Sequence, residues 1–398
     1  MTNLTWVEIR GTQFVNKGAY LMLLACIEQF QRHYPNVEIV LAPNKNSPFK
    51  LRALLGAYQK LSLRFRGLDF NQLSYFVPKF CRKLLREQFG LVLEPDIELV
   101  IDASGFAYGD QWGGRNVRLL GAEIRRLKRH QAGYILLPQA FGPFSKPADQ
   151  QALAQGLPQA LLVCARDEQS FQYLKDSAPD ADIQQFADFT NLVAPRSPEV
   201  FRSLQQPQRY GLIIPNSAML GSRNRNSAWR EHYVHQLITS ATLMRQLGII
   251  PIVLNHEGEA DAALCHQLLA AVDGLQLVSP AHPAEVKGWI AAATLVVCSR
   301  FHGCVSALSS GIPCIGTSWS HKYEMLFAEY EQQDALIEPE TSETELSALF
   351  ASVMTEENLQ VLQQRAAFWK IHSDDLWQLV FTKIQQAVDS GQVQIKCA

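Results

Sequence analysis

"VVCSRFHGCVSALSSGIPCIGTSWSHKYEML", residues 296–326, sets an apolar run against Arg300, His302 and Gly303. A stretch of small residues follows, then a second apolar run and two more cationic side chains, His321 and Lys322. A buried strand that ends on an arginine and a histidine and feeds into a helix brings both side chains to one sheet edge. The free N–H groups and positive end of that helix arrive at the same place, and such an edge holds anions. Strand, helix and strand in so short a span is also the repeating unit of a parallel sheet, because parallel neighbours need a crossover long enough for a helix.

The alternation extends along the chain. "WVEIRG" precedes the helix-like "AYLMLLACIEQFQRHY", and "VEIVLAP" follows. Later apolar runs are "IELVIDASG", "AGYILLPQA", "LLVCARD", "YGLIIPN", "GIIPIVLNH", "LQLVSP", "ATLVVCSR" and "IPCIGTS". This predicts an α/β protein with parallel sheets covered by helices. A chain of 398 residues exceeds one ordinary core, so two domains are expected. The polar, proline-bearing "APRSPEVFRSLQQPQRY", residues 194–210, reads as the linker, which sets domains at 1–195 and 208–365. Apolar residues at helical spacing predict one or two terminal helices, over 366–398. The C-terminal edges of both sheets are expected to face a central cleft, where open parallel sheets take ligands.

Composition narrows the class. Hydrophobic residues at 47% and charged residues at 19% fit a globular enzyme or binding protein, and a net charge of −2 gives no general attraction to nucleic acid or membrane. The eight cysteines form no CxxC pair and most lie in apolar surroundings, which points to core thiols in a reducing compartment rather than a zinc or disulfide framework. No segment has the length of a membrane span and the N-terminus has no signal-peptide pattern, so a cytoplasmic protein is expected. Between Arg64 and Arg86, cations including Arg82 and Lys83 mix with aromatic and aliphatic residues as in a basic amphipathic surface helix. The plain interpretation is a solvated face; the sharper one is peripheral contact with an anionic membrane surface.

Loops after strands carry the candidate chemistry. In "RGTQFVNKGAY", Asn16 and Gly18 stand at a helix start, where a cap and a free N-terminus are available to a ligand. "VIDASGFAYGDQWGG" supplies Gly105 for close backbone approach and Asp110 as an acid/base candidate or a turn aspartate. Gln139 and Arg166 follow two further strands, and Arg166 beside Asp167 is also explained by an ion pair or helix cap. In the second half, Asn216 ends a strand, Arg223 and Arg225 lie in a basic loop, and His256 and Glu257 end the next strand. Arg300 can fork onto a carboxylate or phosphate, and His302 can exchange a proton near neutrality.

"SRFHG" followed by "ALSSGIPCIG", with "NKGA", "DASGFAYGDQWGG", "LPQAFGP", "ARDEQS" and the "PN" strand end in this order, resembles the polysaccharide pyruvyl transferase family over roughly residues 8–326. The resemblance implies two Rossmann-like domains in a GT-B-like arrangement, with the acceptor on the N-terminal domain. It also implies phosphoenolpyruvate as donor and a sugar or glycan as acceptor, which can be lipid-linked. Ketal formation needs an acid, a base and anion anchors. His302 and Asp110 are the acid/base candidates, and Arg300 with Arg223 or Arg225 the anchors, with Gly303, His321 and Lys322 beside them. No cofactor and no metal are expected. Two rivals stay open. One is a nucleotide-sugar glycosyltransferase in which Glu324 holds the ribose; the other is a non-catalytic relative that binds a sugar or an anion.

Overall fold

The computed structural model describes residues 4–65, 68–198, 209–222, 224, 226–318 and 320–396. Most of the linker expected at 194–210, and both Arg223 and Arg225, lie outside the described residues. The chain forms two units. The first takes the chain up to Phe14, Met22–Phe189 and the stretch from His372 onward; the second takes Val15–Leu21 and Thr190–Ile371.

The first unit holds an eight-stranded parallel sheet. Its strands are β1 (Trp6–Arg10), β2 (Glu38–Leu41), β3 (Tyr58–Lys60), β6 (Leu91–Val92), β7 (Leu99–Asp102), β8 (Gly133–Gln139), β9 (Leu162–Ala165) and β10 (Ile183–Gln185). The intervening β4 (Arg64–Phe65) and β5 (Leu68–Asp69) pair antiparallel with each other. The order β10-β9-β8-β7-β1-β2-β3-β6 shows the chain winding outward from β1, then returning to its other side. Chain order therefore reverses between β1 and β7, where Gly11 turns the chain with φ +74. A Cβ at Gly11 would fall 2.0 Å from Ser104 Oγ, so only glycine lets these two strand ends close up.

β1 sits mid-sheet and carries charge. Glu8 is buried, and Lys60 on β3 donates to it. Arg10 donates to Glu123 of the helix Gly114–Arg129, and Arg64 reaches the same carboxylate at 2.9 Å. Arg126 forks onto Glu94 at 2.5 and 2.9 Å. Buried charges are tolerated only when paired and hydrogen-bonded, and this cluster meets that condition. Next to it Asp102 accepts from Tyr108 at 2.6 Å, Tyr134 at 2.8 Å and Ser104 Oγ at 2.6 Å.

The second unit holds a six-stranded parallel sheet, order β13-β12-β11-β14-β15-β16. Its strands are β11 (Tyr210–Ile214), β12 (Ile250–Leu254), β13 (Gln276–Val278), β14 (Leu295–Cys298), β15 (Cys314–Thr317) and β16 (Leu336–Ile337). β11 and β14 are buried along their whole length, which is why both read as unbroken apolar runs. Chain order reverses between them.

The terminal segment, where one or two helices are expected, is one helix, Glu356–Asp389, which begins before residue 366; its residues up to Ile371 belong to the second unit and those from His372 to the first. The basic stretch, expected as one surface helix, is not one helix. It runs through β4, β5, a 3-10 turn Asn71–Phe76 and a helix Lys79–Phe89, which Pro78 precedes because proline suits the start of a helix and not its interior. Among the described residues, no helix is long and apolar enough to cross a membrane.

Candidate functional site

In the second unit the loops leaving β11 and β14 diverge at the reversal point, the place where such sheets accept ligands. Asn216 fixes the two strand ends together. Its Nδ2 donates to the Ser299 carbonyl at 2.8 Å, while its Oδ1 caps a short 3-10 turn through Ala218 N at 2.9 Å. Ser299 is held twice more, by Tyr233 Oη on its hydroxyl at 2.6 Å and by Tyr323 Oη on its carbonyl at 3.0 Å. Arg300, the next residue, is thus set in place as N-cap of the helix Phe301–Ser309. Gly303 has a packing role, since a Cβ there would come 2.6 Å from Cys298 Sγ and push the helix off its strand.

Arg300 does not stand open. Its Nε donates to Asp261 Oδ2 at 3.0 Å, its Nη2 to Asp261 Oδ1, and its Nη1 pairs with Glu257. Asp261 is fully buried in the first turn of the helix Glu259–Ala271 and also accepts from Ser217 N at 3.0 Å. Burial works against both charges, lowering Arg300 to about 10 and raising Asp261 to about 6. The two-pronged geometry offsets that cost. Glu257 is the looser partner, with 19% of its side chain exposed against none for Asp261.

The segment 15–21 completes the site. Asn16 caps the helix Lys17–His33 by accepting from Ala19 N at 3.1 Å, and its Nδ2 donates to Glu257 Oε1 at 3.0 Å. A Cβ on Gly18 would lie 2.2 Å from His302 Nδ1, so the first turn of this helix packs directly on His302. His302 is itself in the first turn of Phe301–Ser309. Two helix starts therefore meet at one histidine, beside a partly buried arginine. Lys17 donates to the Ala281 carbonyl, and Lys322 lies 4.9 Å from the Phe301 ring centroid. Burial, reinforced by Arg300, His302 and Lys17, pushes the buried His256 well down and keeps it neutral. His321 starts the helix His321–Glu329, and Glu324 is exposed in the first turn.

The remaining expected residues lie in the first unit. The Asp110 carboxylate accepts from Ser145 N at 3.0 and 3.2 Å, as a turn aspartate does. Arg166 is buried and pairs with Asp188 at 3.7 Å, not with Asp167, which caps the helix Glu168–Ser177. The Gly105 carbonyl accepts from Ala140 N at 3.1 Å. Gln139 is buried at the end of β8, with no donor to its Oε1 among the described residues. At the ends of β1 and β2 a cavity of about 200 Å³ is lined by Arg10, Thr12, Asn44 and Ser47 among others.

Sequence reasoning passed over Asp261 entirely and left Glu257 as one strand-end residue among several. The signal was present. Glu257 just before the helix Glu259–Ala271 and Asp261 in its first turn both suit the positive helix end and any cation opposite.

The sequence model described as polysaccharide pyruvyl transferase matches residues 16–321. A search of curated proteins gives no significant match. Among solved structures, UDP-GlcNAc 2-epimerase from Neisseria meningitidis, bound to UDP-GlcNAc, superposes with a TM-score of 0.57 at 10% identity, covering 96% of this chain and 100% of that one. Anabaena Alr3699/HepE in complex with UDP and glucose gives 0.52 at 12% identity, over 97% and 99% of the two chains. The spinosyn rhamnosyltransferase SpnG with thymidine diphosphate gives 0.53 at 13%, over 95% and 99%. At these identities the likeness is one of fold: two parallel-sheet α/β domains of the GT-B type.

Proposed function

Because the chain belongs to the polysaccharide pyruvyl transferase family, we propose that it builds a pyruvate ketal across two hydroxyls of a sugar, with phosphoenolpyruvate as donor, and releases phosphate. The observation that carries this is the meeting of two helix starts at His302, beside Arg300. Such a place binds a polyanion and holds a proton donor within it.

The donor's carboxylate or phosphate takes Arg300 Nη1 in place of Glu257, while the Asp261 fork keeps the guanidinium aimed. His302, charged next to the dianion, protonates the methylene carbon. Electron density from the double bond goes to the new C–H bond, leaving a cationic centre at the carbon that bears the phosphate oxygen. A sugar hydroxyl adds there and returns its proton to His302, now neutral. The C–O bond to phosphate breaks with its electron pair leaving on phosphate, and a second hydroxyl adds to the cationic carbon that results, closing the ketal as its proton passes to the released phosphate. Phosphate is the leaving group, so the chemistry calls for no cofactor. Asp110, tied to Ser145, is not needed as acid. On this proposal the protein serves exopolysaccharide or cell-envelope synthesis from the cytoplasmic side, and its acceptor can be lipid-linked.

Phosphate release from phosphoenolpyruvate, measured against a panel of acceptor glycans, tests the reaction. Release that depends on a glycan supports it. Thermal stabilisation by UDP-glucose but not by phosphoenolpyruvate, with no release, would move the site to nucleotide-sugar transfer.

A further inference from the structure

The helix Lys79–Phe89 is inside out. Its inward side carries Arg82 and Arg86, both paired with Asp96 at 2.6 and 3.4 Å, and Arg86 lies 5.0 Å from the Trp6 ring centroid. Its outward side carries Phe80 at 73% exposure and Leu84 at 55%, and the turn before it adds Phe76 at 80% and Leu73 at 57%. Phe80 and Leu84 are four apart on the helix and share one side, as do the exposed Lys79 and Lys83 next to them, while Leu73 and Phe76 are exposed on the 3-10 turn that leads into the helix. Single exposed apolar side chains need no explanation, but four large ones within twelve residues, Leu73, Phe76, Phe80 and Leu84, do.

We propose that this apolar cluster docks on an anionic membrane surface. A helix with aromatic and leucine side chains on one strip and lysines along its border lies in the headgroup region, its apolar strip inserted and its lysines against lipid phosphates. Charge favours this occupant over a second copy of the chain. The helix shows two lysines and one acidic group outward, Glu87, which pairs with Lys83 at 3.6 Å, so an anionic partner is attracted and a like face is not. The cations counted from sequence are redistributed: Arg82 and Arg86 hold the fold, and Lys79 and Lys83 meet the lipid. The proposal does not depend on the donor chemistry.

The test is sedimentation of the full chain with vesicles of phosphatidylcholine and phosphatidylglycerol at 3:1, and of phosphatidylcholine alone, at low salt. Wild type is expected to bind the anionic vesicles. Phe76→Ser, Phe80→Ser and Leu84→Ser together should lower partitioning at least tenfold, with the melting temperature kept because the residues are exposed. Lys79→Gln with Lys83→Gln should weaken binding to anionic vesicles roughly fivefold per lysine and leave neutral vesicles unaffected. Phosphate release with a soluble acceptor serves as the internal control and should not change in either variant. No sedimentation of wild type, or sedimentation unchanged in the triple variant, would overturn the proposal. So would a dimer in light scattering that the triple variant dissolves, which would assign the face to a second copy.

Discussion

The two sheets share one winding pattern and place their charges in opposite ways. In the first, Glu8, Arg10 and Lys60 lie on strands within the sheet and are neutralised beneath it by Glu123, Glu94 and Arg126. In the second, among the described residues, no strand carries a charge, and Arg300, Asp261, Glu257 and His302 stand only at the strand ends. Paired charges inside a sheet serve the fold, because their partners are fixed and solvent cannot reach them. Charges at a strand end beside a helix start can exchange partners, and that makes them available to a substrate.

The largest effect expected of that contrast is on turnover. His302→Gln should lower the rate of phosphate release by roughly two to four orders of magnitude, the range for a positioned acid or base, without a matching fall in melting temperature. A less stable protein whose folded fraction turns over normally would make His302 a packing residue and erase the difference between the sheets.

Glu123→Gln should do the reverse. It strands Arg10, Arg64 and Lys60 without their shared carboxylate, and breaking a buried pair costs about 3–5 kcal/mol of stability. Stabilisation by phosphoenolpyruvate should persist in what remains folded. Arg10 and its basic neighbours hold the Glu123 carboxyl far below the ordinary glutamate value even though burial opposes this. Its contribution is therefore present above that ordinary value and is lost as pH falls toward its folded one. Urea unfolding from pH 7 to 3 should show wild type losing stability on the acid side more steeply than Glu123→Gln.

The same contrast marks what the sequence discloses. Every long apolar run became a strand, because burial on both faces leaves the pattern no other use. β3, β6, β10 and β16, of two or three residues, were missed because so few residues show no period. "WVEIRG" reads as a strand, but its alternation says nothing of what covers the charged face, and Glu8 turned out to be buried under charge rather than in water. Arg300, His302, Asn16 and Gly18 were legible one by one as strand-end and helix-start residues. That Gly18 touches His302 was not, since only the fold brings residues so far apart in the chain together. Asp261 stayed hidden because an acid early in a helix looks like a solvated one.

Arg300→Lys sharpens the contrast within the site. Lysine keeps the charge and loses the fork onto Asp261. Hydrogen bonds to charged groups contribute about 1.5–3 kcal/mol, so kcat/KM for the donor should fall roughly tenfold to a hundredfold. An unchanged value would remove Arg300 from the donor site.

The smallest effect has the opposite sign. If Arg300 exchanges partners, the two carboxylates on it are not equivalent: buried Asp261 aims the guanidinium, and the more exposed Glu257 occupies the face a donor anion needs. Glu257→Gln removes the competing charge and keeps an oxygen to accept from Asn16 Nδ2, so the helix cap at Lys17–His33 is preserved. A partly exposed ion pair contributes about 0.2–1 kcal/mol, so donor affinity should improve, at most roughly fivefold. Asp261→Asn should weaken it, because the amide cannot match the fork and leaves Arg300 with a buried, half-paired charge. Titration of phosphoenolpyruvate into both variants by calorimetry reads the two signs directly. Weaker binding in Glu257→Gln as well would mean that both carboxylates hold Arg300 for the donor, and that the second sheet's charges are as fixed as those of the first.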